Sequence, residues 1–267
     1  MNRKCSGKAP KPTSCGIAVM AKASAPGRTK TRLVPPLTFD EAAAFNTAFL
    51  QDVAANVLAA SRRGPIAGYA AYGPPGARSL AFFRDVLPAG IGLLQAWHPN
   101  FGECLFDAID QMLSRGHSGA VVLNSDSPTL PTSLLVRTAA LLAQPGDHAV
   151  LGPSSDGGYY LLGVKHRHRR LFEDVAWSTE QVARQTLQRA EEIGLRVHVL
   201  PTWYDIDDVE SLERLHGELR GDAAFSAGLR IHRAPYTARL MRALMQERDF
   251  LKRLGEFASA DLQRVAG

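Results

Sequence analysis

AVVLNSDSPTLP, residues 120–131, is the stretch on which the reading of the fold turns. Apolar residues up to Leu123 run into Asn124-Ser125-Asp126 and then a Pro-braced turn, the pattern of a buried strand that ends on an acid. Helical patterns lie on both sides. ECLFDAIDQMLSRG (103–116) places Leu105, Ile109, Met112 and Leu113 on one face before Gly116, and PTSLLVRTAALLA (131–143) is also helical.

Working outward towards the N-terminus, GLLQAW (92–97), IAGYAAY (66–72) and GIAVMAKA (16–23) read as strands. Between the last two, Thr38 and Glu41 form a capping box, and Ala42, Phe45, Phe49, Val53 and Val57 recur at helical spacing, predicting a helix over 39–61. Towards the C-terminus, AVLGP (149–153) and YYLLGV (159–164) flank a tight SSDGG turn. Ser178 with Gln181 is expected to cap a further helix, and LRVHVLP reads as another strand. This alternation predicts an α/β fold, a mostly parallel sheet flanked by helices, with ligands beyond the carboxyl ends of the strands. The expected organisation is a flexible Pro- and Lys-rich leader (1–14), a nucleotide-binding transferase domain (15–220) and a C-terminal helical extension (221–267). The extension carries apolar Leu240, Leu244, Leu251 and Leu254 but no recognisable chemistry.

The 267 residues are 45% hydrophobic and 21% charged, enough to bury a substantial core. No apolar run approaches a membrane span, and the basic N-terminus has no apolar stretch behind it, so neither a membrane helix nor a signal peptide is expected. Cys5, Cys15 and Cys104 lack metal-ligand spacing, which points to the cytoplasm. The formal charge of +5 is spread without aromatic-interleaved basic stretches, so no nucleic-acid partner is expected and the excess suits phosphorylated small molecules.

Directly after the first strand, Lys22-Ala-Ser-Ala-Pro-Gly27-Arg28-Thr-Lys30-Thr-Arg32 supplies four cations in eleven residues. Gly27 permits close backbone approach, Lys30 offers a point charge, and Arg28 or Arg32 a forked donor for phosphate oxygens. A Walker A sequence is absent. The acids complement this loop. Asp126 ends one strand, and in TWYDIDDVESL Asp205 and Asp207 point to the same side of an extended segment, so both can face one cation while Asp208 caps the following helix. Asp126, Asp205 and Asp207 are therefore the expected ligands of Mg²⁺ or Mn²⁺, which favour hard oxygen donors. Lys30 and Asp126 are the expected catalytic residues, and Ser125 joins the loop residues as a nucleotide contact. Asp156, Gly157, Gly158 and Tyr159, with Ser178 and Thr179, are acceptor-site candidates: the glycines would leave backbone N–H groups accessible, and a helix N-terminus favours anions. Turn formation by the glycines and simple capping by Ser178 are equally compatible readings. Glu103 is a weaker candidate, and HRHRR (166–170) reads as an exposed basic patch.

Taken together, MAKASAPGRTKTRL, LNSDSPTLP, LGPSSDGGYYLLG, AWSTEQV and YDIDDVESL resemble the radical-SAM/selenodomain-associated transferase family. That group has the nucleotide-diphospho-sugar transferase (GT-A) fold and is similar to phospholactate guanylyltransferases and molybdenum-cofactor nucleotidyltransferases. The resemblance covers residues 16–217 and implies that Lys22, Arg28, Lys30 and Arg32 meet nucleotide phosphates while Asp126, Asp205 and Asp207 hold Mg²⁺. The chain departs from the pattern at Gly102-Glu103-Cys104, where the family usually has Arg after Gly-Glu.

The leading expectation is nucleotidyl transfer from a nucleoside triphosphate to a small phosphorylated or acidic acceptor, because a leaving pyrophosphate needs charge neutralisation more than a strong base. Glycosyl transfer from a nucleotide sugar is the alternative, and a non-catalytic nucleotide-binding protein is the third. A homodimer is left open.

Overall fold

The computed structural model describes residues 14–222, 224–254 and 256. The leader expected over 1–14 falls, except for Ser14, outside these residues, as do Cys5 and positions 257–267. The chain runs β1 (Cys15–Lys22), α1 (Phe39–Ser61), β2 (Ile66–Gly73), α2 (Ala77–Val86), β3 (Gly92–Gln95), α3 (Phe101–Ser114) and β4 (Gly119–Leu123). It continues through α4 (Thr132–Leu142), β5 (His148–Pro153), β6 (Tyr159–Val164), α5 (Val182–Glu192), β7 (Arg196–Val199), α6 (Val209–Arg220) and α7 (Pro235–Leu244).

The strands form one sheet in the order β3-β2-β1-β4-β6-β5-β7, and β6 alone runs against the others. Alternation decides the faces: Ile17, Val19 and Ala21 of β1 enter the core beneath α1 and α4, whereas Ala18 enters the core beneath α3. The order reverses at β1, whose neighbours are β2 and β4, so the loops leaving β1 and β4 border the crevice where such sheets bind ligands.

Local signals set several boundaries. α1 spans the expected 39–61, with Thr38 accepting from the Glu41 N–H at 3.2 Å and Glu41 accepting from the Thr38 N–H at 2.7 Å. Asp208 caps α6 as expected, accepting from the Ser211 N–H at 2.9 Å. The sequence reading missed α2, which sits among Gly and Pro and fully buries Phe83 alone.

The α5 region corrects another expectation. Ser178 does not cap the helix. It lies in the left-handed region at φ 65°, and α5 starts only at Val182. The Ala183 N–H donates to Gly157 O at 3.0 Å, so the 154–158 turn claims an amide that a bound anion was expected to use.

The described part of the C-terminal extension shares the main core, since Met241, Leu244 and Phe250 pack in the same cluster as α1. Asp52 of α1, wholly buried, accepts from the N–H groups of Tyr236 (3.1 Å) and Thr237 (2.8 Å) and so caps α7 across the tertiary structure. Asp52→Ala is expected to destabilise the protein by about 2 kcal/mol, because two buried amides lose their acceptor. Urea titration checks this, and an unchanged midpoint would remove Asp52 from the account of α7. Among the described residues no helix is long and apolar enough to cross a membrane.

Candidate active site

A cleft of about 660 Å³ opens at the carboxyl ends of the parallel strands, a size typical of small-ligand sites. One side is the loop after β1. Gly27, at φ 71°, and Lys30, at φ 53°, both adopt left-handed backbone there, which is costly for a lysine and marks a constrained site. Lys22, Arg28 and Arg32 line the cleft exposed to solvent, with no ion-pair or side-chain hydrogen-bond partner among the described residues.

Lys30 is different. Its Nζ donates to Ile206 O at 2.6 Å and to Asp207 Oδ1 at 2.8 Å, and pairs with Asp126 Oδ2 at 3.0 Å. Burial alone would lower its pKa, but Asp126 and Asp207 outweigh that and hold it above the ordinary lysine value. With its ammonium held by one carbonyl and two carboxylates, Lys30 does not match the expectation of a free phosphate-binding charge.

Asp126 and Asp207 thus converge on one cation, each within 3.0 Å of the same nitrogen. Two further bonds hold their loops together: the Ile206 N–H donates to Asp126 O at 3.0 Å and Ser127 Oγ donates to Tyr204 O at 2.8 Å. The three-carboxylate group whose oxygens lie within 4.8 Å of one another is, however, Asp156, Asp205 and Asp207. Asp126, drawn to Lys30, is outside it. Asp156, expected on the acceptor side, is inside it. Burial first, and then the charges of Asp156, Asp207 and Asp126, push the Asp205 carboxyl up to about 6, against a 2.6 Å hydrogen bond donated by Ser154. Crowded acids of this kind are relieved by a divalent cation, and a set of hard oxygens suits Mg²⁺ or Mn²⁺.

The glycines of the SSDGG turn do not offer free N–H groups as expected. Gly157 N–H donates to Ser154 O at 3.2 Å and Gly158 N–H to Asp156 Oδ1 at 2.9 Å. Gly157 is instead needed for close packing: it sits at φ 89°, and a Cβ there would lie 2.1 Å from Glu180 O. Ser125, Gly158, Tyr159, Ser178 and Thr179 line the cleft with the acids, and the Thr179 hydroxyl donates to Ala176 O at 2.7 Å. Glu103 is paired with Arg169 at 2.5 Å. The HRHRR segment is bound up with carboxylates: Arg167 pairs with Asp110, and Arg170 meets Asp174 at 2.6 Å and Glu192 at 2.8 Å.

An aromatic wall was not read from the sequence. Trp97, Phe101, Tyr159 and Trp177 line the cleft; of these only Tyr159 was named from the sequence, and the segments that carry them lie apart in the chain, where single aromatics give no periodic signal.

Comparison with known proteins bears on the fold. Residues 56–179 match the DUF2064 family model. That family is described as an uncharacterized protein conserved in bacteria; the matched span holds Asp126 and the 154–158 turn, while the 22–32 loop, Asp205 and Asp207 lie outside it. Among solved structures, the chain is 25% identical to a protein from Desulfovibrio desulfuricans G20 provisionally named a nucleotide-diphospho-sugar transferase. The TM-score is 0.73, with 86% of this chain and 95% of that one covered. A cytidylyltransferase from Leptospira borgpetersenii matches at TM-score 0.50 and 11% identity over 89% of this chain and 96% of that one, a likeness of fold alone. The fold is that of the nucleotide-diphospho-sugar transferases, as the sequence resemblance implied. No curated protein matches the chain.

Proposed function

We propose that the protein is a nucleotidyltransferase that moves a nucleoside monophosphate unit from a nucleoside triphosphate to a small acidic acceptor. An acceptor oxygen bonds to the α-phosphorus, the bond from that phosphorus to the bridging oxygen of the β-phosphate breaks, and pyrophosphate leaves with the electron pair. The observation that carries the reading is the division of the cleft: Lys22, Arg28 and Arg32, exposed and unpaired among the described residues, on one side, and the acids of the loops after β4, β5 and β7 on the other. Three free cations suit a triphosphate better than a neutral sugar.

Asp205, Asp207 and Asp156, with Asp126 beside them, would hold Mg²⁺ or Mn²⁺, which when bound supplies charge neutralisation for the phosphates. Arg28 and Arg32 offer forked donors to the β- and γ-phosphate oxygens, and Lys22 adds a point charge. Lys30 fixes the spacing of Asp126 and Asp207, so the site is organised before substrate arrives. Its contribution is positional and electrostatic, as phosphoryl chemistry requires. The fold's association with nucleotide-sugar enzymes keeps glycosyl transfer as the second reading.

Incubation with each nucleoside triphosphate, Mg²⁺ and a panel of phosphate, phosphonate and carboxylate acceptors should release pyrophosphate only with the right pair. Acceptor-dependent release of a nucleoside diphosphate from a nucleotide sugar, with no pyrophosphate from any triphosphate, would replace this reading by glycosyl transfer. Arg28→Ala is expected to weaken triphosphate binding by about 1 to 3 kcal/mol, the worth of a charge-assisted hydrogen bond, with thermal stability unchanged. Calorimetric titration measures it, and equal affinities would return Arg28 to the solvated surface.

A further inference from the structure

The side of the cleft formed by α3 and the loop before α5 has a different chemistry from the β1 loop. Phe101 and Trp177 meet edge to face with ring centroids 5.6 Å apart, and Trp177 meets Tyr159 likewise at 6.5 Å. Trp97 stands on the same cleft. Phe101 is 46% exposed and Trp97 43%, two of the six large hydrophobic side chains exposed on the described surface. Two glycines make room for the indoles. A Cβ on Gly102 would lie 2.7 Å from Phe172 O and 2.9 Å from the Trp177 ring, and one on Gly73 would lie 2.4 Å from that of Trp97. Gly102 of the GEC segment thus has a use that its sequence context hid: it seats the tryptophan of the AWST segment.

Exposed rings have a cost in water, and the side chains of this wall carry no cation, whereas a polyphosphate needs its charge neutralised. Edge-to-face packing leaves ring faces available for stacking or apolar contact. The cationic loop takes the triphosphate, so the aromatic side is left to the other reactant. We infer that Phe101, Trp177 and Tyr159 bind an apolar or aromatic group of the acceptor, which therefore joins its acidic head to a ring or hydrocarbon body. Calling the occupant the acceptor rests on the nucleotidyl-transfer reading; the preference of the wall for a ring does not.

Phenylphosphonate and methylphosphonate share a head group and differ in the body, so they separate the two contributions. Titrated into the full chain with Mg²⁺, phenylphosphonate is expected to bind about ten-fold more tightly, which falls within the scale of stacking on an aromatic side chain. Phe101→Ala, at an exposed first-turn position where Ala suits a helix, should remove most of that preference and leave nucleoside triphosphate affinity unchanged. Equal affinities of the two phosphonates for the wild type would overturn the inference. So would a Phe101→Ala protein that loses triphosphate affinity, since the wall would then seat the nucleobase. A wild type that discriminates the phosphonates but binds no triphosphate upholds the wall and sinks the nucleotidyl reading.

Discussion

Asp126→Asn is expected to lower acceptor-dependent pyrophosphate release by about a thousand-fold, the scale on which loss of one preorganised electrostatic group acts. The substitution keeps side-chain volume and removes one formal charge where two requirements meet. Asp126 Oδ2 lies 3.0 Å from Lys30 Nζ, and its charge is felt by Asp205 of the acidic cluster. A neutral amide there weakens the hold on Lys30 and reduces the negative charge that favours a divalent cation. Because the Asp126 side chain is 29% exposed, the fold should survive, and circular dichroism and a urea midpoint near that of the wild type establish that the loss is chemical. Residual turnover within about ten-fold of the wild type would take Asp126 out of the reaction and leave the Asp156, Asp205 and Asp207 cluster as the centre.

Lys30→Met is the second large effect, and its sign depends on the cation. The substitution keeps a long apolar stem but deletes the donor to Ile206 O, Asp207 and Asp126 together. In chelator, the facing carboxylates lose their only shared counter-charge among the described residues, and a stability loss of about 2 kcal/mol is expected. That is less than a fully buried pair would give, because the carboxylates are 29% and 39% exposed and water screens them. With Mg²⁺ present the variant should recover more stability than the wild type gains, since the ion meets more uncompensated negative charge. Turnover should still fall about a hundred-fold, because the spacing of Asp126 and Asp207 is no longer fixed. Thermal denaturation with and without Mg²⁺ reads the first two effects. A variant that melts like the wild type in chelator shows that Lys30 does not hold the acids together, and restores it as a candidate phosphate ligand.

The two substitutions probe a contact that joins residues 30, 126 and 207, and that spacing explains which parts of this protein were legible in its sequence. What depends on neighbours within one turn or one strand was written locally. The ends of α1 follow from Thr38 and Glu41, the cap of α6 from Asp208, and the delivery of Asp126 to the sheet mouth from the apolar run before it. Alternation of such segments was enough for a mostly parallel sheet, and the sheet placed the charged loops at one edge.

What depends on a partner far along the chain could not be read there. The sequence turned all four loop cations towards phosphate, and only the fold separates Lys30, committed to acids up to 177 residues away, from Lys22, Arg28 and Arg32, which stay free among the described residues. Ser178 and Gln181 had the spacing of a cap, yet the 154–158 turn takes an amide of the first turn of α5 and the helix starts later. Asp156 belonged by sequence to a glycine turn and by structure to the acidic cluster, because β5 and β7 are neighbours in the sheet. Likewise Asp52 looked like one polar position inside α1 until the chain returned to place α7 on its carboxylate. The sequence alone determined most of the elements, though not α2 or the start of α5, since propensity, capping and periodicity act over a few residues. Which charges meet was decided only by the tertiary structure, since Coulomb attraction and desolvation depend on distance in space and on burial, neither of which sequence separation records.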